Sequence, residues 1–131
     1  MIFIVNDSDL YRLEAVLALA AAFPATITAG EIARRRGVPE KFLARLLSGL
    51  ARSGVVTTTR GPNGGARLAR PPEQVKVTEV LPTTETRRRG GPAALWLEGQ
   101  VQEAVRHTVA PLSLATLLRV ERQGTETQYE I

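Results

Sequence analysis

The stretch "RGPNGGARLAR" (residues 60–70) gathers three glycines, one proline and three arginines into eleven positions. Glycine reaches backbone angles closed to other residues, so a cluster of this kind marks a tight reversal of the chain. The segment before it, "VVTTTR" (residues 55–60), is β-branched and alternating, and "ARLAR" (residues 66–70) can return beside it with "GPNGG" as the connection. The stretch is therefore the tip of a β-hairpin. A phosphate-binding loop would instead end in Gly-Lys-Ser/Thr and open a helix, and this one does neither.

Two helices precede the hairpin. In "TAGE" (residues 28–31) the Thr28 hydroxyl can accept from the Glu31 N–H while the Glu31 carboxylate reaches back to the Thr28 N–H, a capping box. The short helix it opens runs to about Arg36 and stops at Gly37. Pro39 suits the first turn of the next helix, where its missing N–H costs nothing. Phe42, Leu43, Leu46, Leu47 and Leu50 form the apolar stripe of that helix, Gly54 closes it, and Lys41, Arg45, Ser48 and Arg52 lie on the opposite side. Two helices about three residues apart around a glycine, the second with a basic outer face, make a helix-turn-helix, and the hairpin beside it is a wing.

Upstream, "SDLYRLEAVLALAAAF" (residues 8–23) repeats apolar residues at helical spacing, with Asp7, Ser8 and Asp9 available as caps and Pro24 as the stop. Downstream, "AALWLEGQVQEAVRHTVA" (residues 93–110) sets Leu97, Val101, Val105 and Val109 four residues apart with Trp96 beside them. That stripe is longer than the core of a winged helix needs, so it either pairs with a second copy, the favoured reading, or folds back on its own domain. Pro111 ends this helix, Ser113 can cap a short one over residues 114–121, and residues 123–131 read as a flexible tail.

Charge is segregated along the chain. Residues 28–70 hold nine Lys/Arg against two acids, a local net charge of +7 within a total of +4, so the remainder is acidic. A glycine-rich turn by itself is a plain hairpin, and a basic helix face by itself is a solvated surface. In this order and with this charge, the three elements point to nucleic-acid binding.

Composition closes other routes. A chain of 131 residues with 44% hydrophobic content fits one domain with an appended helix. No apolar run approaches bilayer length and the start lacks a basic leader, which places the protein in the cytoplasm. With no cysteine there is no disulfide, thiolate nucleophile or cysteine-held metal; the single histidine, His107, has no evident acidic partner and reads as a surface or packing residue. The chain is not expected to be an enzyme.

The run from "EIARRRGVPEKFLARLLSGLARSGVVTTTRGPNGGARLARPPEQVKVTEVL", with "YRLEAVLALA" before it and "ALW" after it, resembles the IscR/NsrR/CymR winged-helix regulators, the Rrf-two family. The likeness covers residues 10–118, and its most specific element is the "RG-x-x-GG-x-x-LA" wing. It implies a dimeric transcription regulator, usually a repressor, whose long helix crosses its partner. It also implies base reading at positions that fall on Lys41, Ala44 and Arg45, with the wing arginine, Arg60, in the minor groove. Ala44 has no polar reach, which leaves Lys41, Arg45 and Ser48 as the base readers. Iron-sulfur members carry three cysteines in the loop that is "PTTETRRRGGP" here (residues 82–92), and this loop has none.

The combined expectation is a mainly α fold with a small β-hairpin wing. A winged helix-turn-helix domain (residues 1–81) is followed by a basic loop (82–92), a dimerisation helix with a short helix after it (93–122) and the tail. Arg60, Asn63 and Arg67 are the wing contacts, and Thr28, Arg34, Arg35, Arg52 and Thr59 the DNA-backbone contacts. Leu97, Val101, Val105 and Val109 form the dimer interface, and no metal or other cofactor is expected. The partners are duplex DNA with a pseudo-palindromic operator and a second copy; a small-molecule effector is left open, with Arg87–Arg89 or the surroundings of Trp96 as its place. The competing reading is a winged-helix protein-interaction module whose basic surface is incidental.

Overall fold

Asn6 starts the first helix, α1 (Asp7–Ala22), by a reciprocal pair of bonds: its side chain accepts from the Asp9 N–H at 2.9 Å, and the Asp9 carboxylate accepts from the Asn6 N–H at 3.3 Å. The cap thus lies one residue before the Asp7, Ser8 and Asp9 that the sequence offered. The computed structural model describes residues 6–62, 64–81 and 90–127, the last three by backbone alone. Within α1 the six consecutive residues 15–20 are all buried, so this helix is surrounded rather than half-wetted.

Helix α2 (Ala29–Arg36) is capped by Thr28, whose hydroxyl accepts from the Glu31 N–H at 3.1 Å, and ends at Gly37 in the left-handed conformation (φ 69°). The second half of the expected capping box is replaced. Glu31 bonds Arg34 and Arg35 instead of reaching back, because bonds to a guanidinium are charge-assisted and stronger than one to a neutral N–H. Pro39 is the N-cap of α3 (Glu40–Arg52), not a residue of its first turn. Leu43, Leu46, Leu47 and Leu50 of α3 are buried, but Phe42, expected in the same stripe, is 42% exposed and stacks on Tyr11 of α1 with ring centroids 5.7 Å apart.

The hairpin consists of β1 (Val56–Thr59) and β2 (Gly65–Leu68), antiparallel in the register Val56↔Leu68 to Thr59↔Gly65. Val56, Ala66 and Leu68 are buried in the core while Arg67 and all three threonines of β1 are exposed, so β2 alternates and β1 is buried only at its first residue. Ile27, just ahead of α2, adds a short third edge: it donates to the Ala66 carbonyl at 2.9 Å and accepts from the Ala66 N–H at 2.8 Å. This close approach explains Gly65, and the tight turn of the hairpin itself explains Gly64. A Cβ on Gly64 would lie 2.3 Å from the Thr59 carbonyl oxygen, and one on Gly65, at φ 154°, would lie 2.3 Å from that of Ile27.

After a 3-10 turn (Pro72–Gln74) and the single helical turn α4 (Val77–Val80), the chain continues as α5 (Pro92–Val109) and α6 (Leu114–Thr127). Val77 donates to Leu112 O and Leu114 to Val75 O, each at 3.0 Å, which ties the start of α6 to the winged-helix part. Leu114 and Leu118 are buried in the same core as α1 and β2. Arg36, at the end of α2, bonds both carboxylate oxygens of Glu121 on α6, and Glu14 on α1 at 3.3 Å. The hydrogen bond to Glu121, helped by the nearby charges of Glu121 and Glu14, keeps the guanidinium above its ordinary pKa against the opposing effect of its partial burial.

Helix α6 is longer than its sequence reading. Residues 123–127, assigned to a flexible tail, continue the helix; once Leu114, Leu118 and Glu121 are docked, each further residue adds a backbone bond without a new nucleation cost. The architecture is mainly helical with one small antiparallel hairpin, as the sequence indicated. Among the described residues no helix is long and apolar enough to cross a membrane.

The Ile27–Ala66 bridge yields a stability test. Gly65→Ala forces Ile27 away from β2 and is expected to lower unfolding stability by about 2 kcal/mol, read as a shifted midpoint in urea denaturation. An unchanged midpoint would contradict the contact.

Candidate nucleic-acid interface

Helix geometry decides which α3 side chains can act together. Positions 41, 45, 48 and 52 recur at intervals of three and four, so Lys41, Arg45, Ser48 and Arg52 share one face, opposite the buried leucines. All four are exposed, as is Ala44 between them. Lys41 lies 5.0 Å from the Phe42 ring centroid. The arrangement is a basic helix face anchored from behind by an apolar one, the form that allows a helix to be pressed into a groove without losing its own packing.

On the wing, Arg67 is exposed on β2 and its Nε donates to the Thr57 hydroxyl across the strand pair at 3.3 Å. Thr59 and Arg60 are exposed at the end of β1 and the start of the turn. Asn63, the remaining wing candidate, lies outside the described residues, as do Arg87–Arg89.

The basic residues of the segment divide into three groups. Arg36 is consumed by Glu121 and Glu14, and Arg70 by Glu79 and the Gln74 carbonyl. The Arg70 guanidinium, followed by the bond from the Lys76 N–H, holds the Glu79 carboxyl below its usual range. Among the described residues Lys41, Arg45, Arg52, Arg60 and Arg67 have no carboxylate partner. Arg34 and Arg35, expected at the DNA backbone, share Glu31 yet remain open to solvent, with 71% and 43% of their side chains exposed. Thr28 contributes its hydroxyl to the α2 cap.

The four residues expected at a dimer interface do not share one environment. Leu97 and Val101 are 58% and 50% exposed beside Trp96 at 66%, while Val105 is half-buried. Val109 packs against the chain's own core. Sequence reasoning gave no role to Tyr11, which the fold brings from α1 onto Phe42 of α3; a tyrosine early in an amphipathic helix carries no local sign of that stack.

The pattern that defines Rrf2, described as an iron-dependent transcriptional regulator, matches residues 6–123. The chain belongs to the Rrf2 family. It is 39% identical over 88 residues to an rrf2-like HTH-type transcriptional regulator of Rhodobacter capsulatus, covering 64% of this chain and 55% of that one. To the HTH-type transcriptional regulator IscR of Cereibacter sphaeroides it is 33% identical over 78 residues, 57% of this chain and 50% of that one. The chain thus spans about half the length of these curated relatives. Among solved structures, T. potens IscR superposes with a TM-score of 0.78 at 25% identity, covering 98% of this chain and 93% of that one. CymR of B. subtilis, with a TM-score of 0.73 at 24% identity over 90% and 98% of the two chains, shares the fold.

The iron in the family description does not fit the donors present. The chain has no cysteine, and among the described residues no three His, Asp or Glu side chains come together as a metal-binding group. Soft thiolate ligands are what iron-sulfur clusters require. Rrf2 regulators are not enzymes, and this chain's site is a surface of cations rather than a set of reacting groups.

The Glu31 cluster gives a titration test. Hydrogen bonds from Arg34 and then Arg35 lower the Glu31 carboxyl to about 2. Because the folded value lies below the unfolded one, the stabilisation is complete above the ordinary carboxylate range and is lost as pH falls toward 2. The carboxyl carbon of Glu31 should therefore still report the ionised form at pH 3.5 by NMR; a midpoint near 4.5 would mean the arginines are free.

Proposed function

We propose that this chain is a sequence-specific DNA-binding transcription regulator acting as a homodimeric repressor, without a cysteine-ligated iron-sulfur cluster. The observation that carries the reading is the exposed α3 face of Lys41, Arg45, Ser48 and Arg52, whose cations have no carboxylate partner among the described residues. Lys41, Arg45 and Ser48 read base edges in the major groove, and the wing contacts Arg60, Arg67 and Asn63 enter the minor groove or lie along it. Thr28, Arg34, Arg35, Arg52 and Thr59 follow the phosphates. Two copies bound about a two-fold axis read a pseudo-palindromic operator.

Salt dependence and substitution test this reading together. About 4 to 8 phosphate contacts per dimer give a log-log slope of affinity against salt of about −4 to −7. Arg45→Ala should reduce discrimination at particular base pairs by about 1 to 3 kcal/mol, whereas Arg60→Ala and Arg67→Ala should weaken specific and random duplexes alike. A flat salt response would favour the protein-interaction module instead.

The dimer rests on α5. Trp96, Leu97 and Val101 hold apolar surface in water that a second α5 would cover, the long-helix pairing that the family resemblance implies. Val101 is exposed in the single chain, so Val101→Glu leaves the monomer fold intact but places a charge without a partner inside a dimer. Light scattering should then report a monomer with unchanged far-ultraviolet circular dichroism; an undiminished dimer would place the interface elsewhere.

A further inference from the structure

Gly49 sits inside α3, where glycine weakens a helix by up to about 1 kcal/mol relative to alanine. Nothing steric demands it: a Cβ built there meets only the tip of Arg52, at 4.0 Å, and its backbone angles are ordinary for a helix. What the missing side chain does leave is space. Gly49 lines a half-open cleft of about 570 Å³ between the first turns of α1 and the length of α3. Tyr11, Phe42 and Leu46 supply an apolar wall, and Arg12, Arg45 and Arg52 surround it with cations, against the single lining carboxylate of Asp7. Arg12 is held by Asp9 at 3.2 Å, whereas Arg45 and Arg52 have no carboxylate partner among the described residues.

From this juxtaposition we propose that the α1–α3 cleft is a binding site for a small organic carboxylate with a flat apolar body. The ring lies over Gly49 against the Tyr11–Phe42 pair, which is already stacked and so needs no reordering. The carboxylate meets Arg52 and Arg45, and a planar guanidinium suits a carboxylate through two parallel bonds. A consequence follows from Arg45 being shared. If α3 reads DNA as proposed above, ligand and operator compete for the same guanidinium, so occupancy of the cleft releases the operator without any movement of α5. The ligand binding itself does not rest on that reading.

The experiment uses phenylacetate as probe, with acetate (carboxylate, no ring) and phenylacetamide (ring, no charge) as controls, on the full chain followed by amide NMR. Phenylacetate should shift the amides of Tyr11, Leu46 and Gly49 with a midpoint of about 1 mM, the order expected for roughly ten non-hydrogen atoms, and both controls should bind at least tenfold more weakly. Gly49→Leu fills the cleft while improving helix propensity, so it should melt no lower than the parent and lose the response; Arg52→Gln should raise the midpoint about tenfold. Shifts equal for phenylacetate and acetate would mean an adventitious anion only. That result, the absence of shifts at 10 mM, or an undiminished response in Gly49→Leu would each overturn the proposal. A competition arm, with labelled operator duplex displaced by saturating phenylacetate, separates the two ideas: probe binding without displacement keeps the site and removes Arg45 from DNA reading.

Discussion

Water is excluded from every side of the middle of α1, and the remaining elements are arranged around that constraint. Residues 15–20 of this helix are buried in succession only because neighbours cover its whole circumference, and here α2, α3, β2 and α6 all pack on it. Alanine at positions 15, 18 and 20 keeps the helix thin enough for such neighbours to approach, while Val16, Leu17 and Leu19 fill the spaces between them. The helix-turn-helix, the wing and the last helix therefore share one core, although they are separate in sequence.

Two polar devices set the orientation of the elements on that core. Ile27 joined to Ala66 fixes the wing to the entry of α2, and Gly65 permits the two backbones to meet. Arg36 joined to Glu14 and Glu121 holds the end of α2 to the first and last helices. A half-buried guanidinium with two carboxylates is a directional contact, and its removal would leave carboxylates facing each other without a counter-charge. Through these contacts the position of α6, which follows the exposed α5, is mechanically linked to the helix-turn-helix.

The same segment that supplies structural arginines also supplies the cationic surface. The deciding variable is whether a carboxylate from another element comes within reach. Arg36 and Arg70 meet Glu121 and Glu79, whereas Arg45, Arg52 and Arg60 form no ion pair among the described residues. A cysteine-held iron-sulfur cluster has no comparable basis here, since the chain has no cysteine.

Local pattern determined much of this protein. The Thr28 cap, the Gly37 stop, the leucine stripe of α3 and the glycine-rich hairpin each depend on residues within a few positions of one another, so the helix-turn-helix, its wing and the basic face of α3 were legible from spacing alone. Contacts between distant segments were not. Nothing near Phe42 announces Tyr11, nothing near Arg36 announces Glu121, and the extension of α6 past residue 122 depends on docking against a core assembled from the other end of the chain. The fate of Glu31 shows the division most closely: its spacing from Thr28 permits a capping box, but two arginines on the same helix compete for the carboxylate and win. Periodicity specifies which face of an element is apolar; which partner covers that face, and which charges meet across it, is decided only when the elements pack.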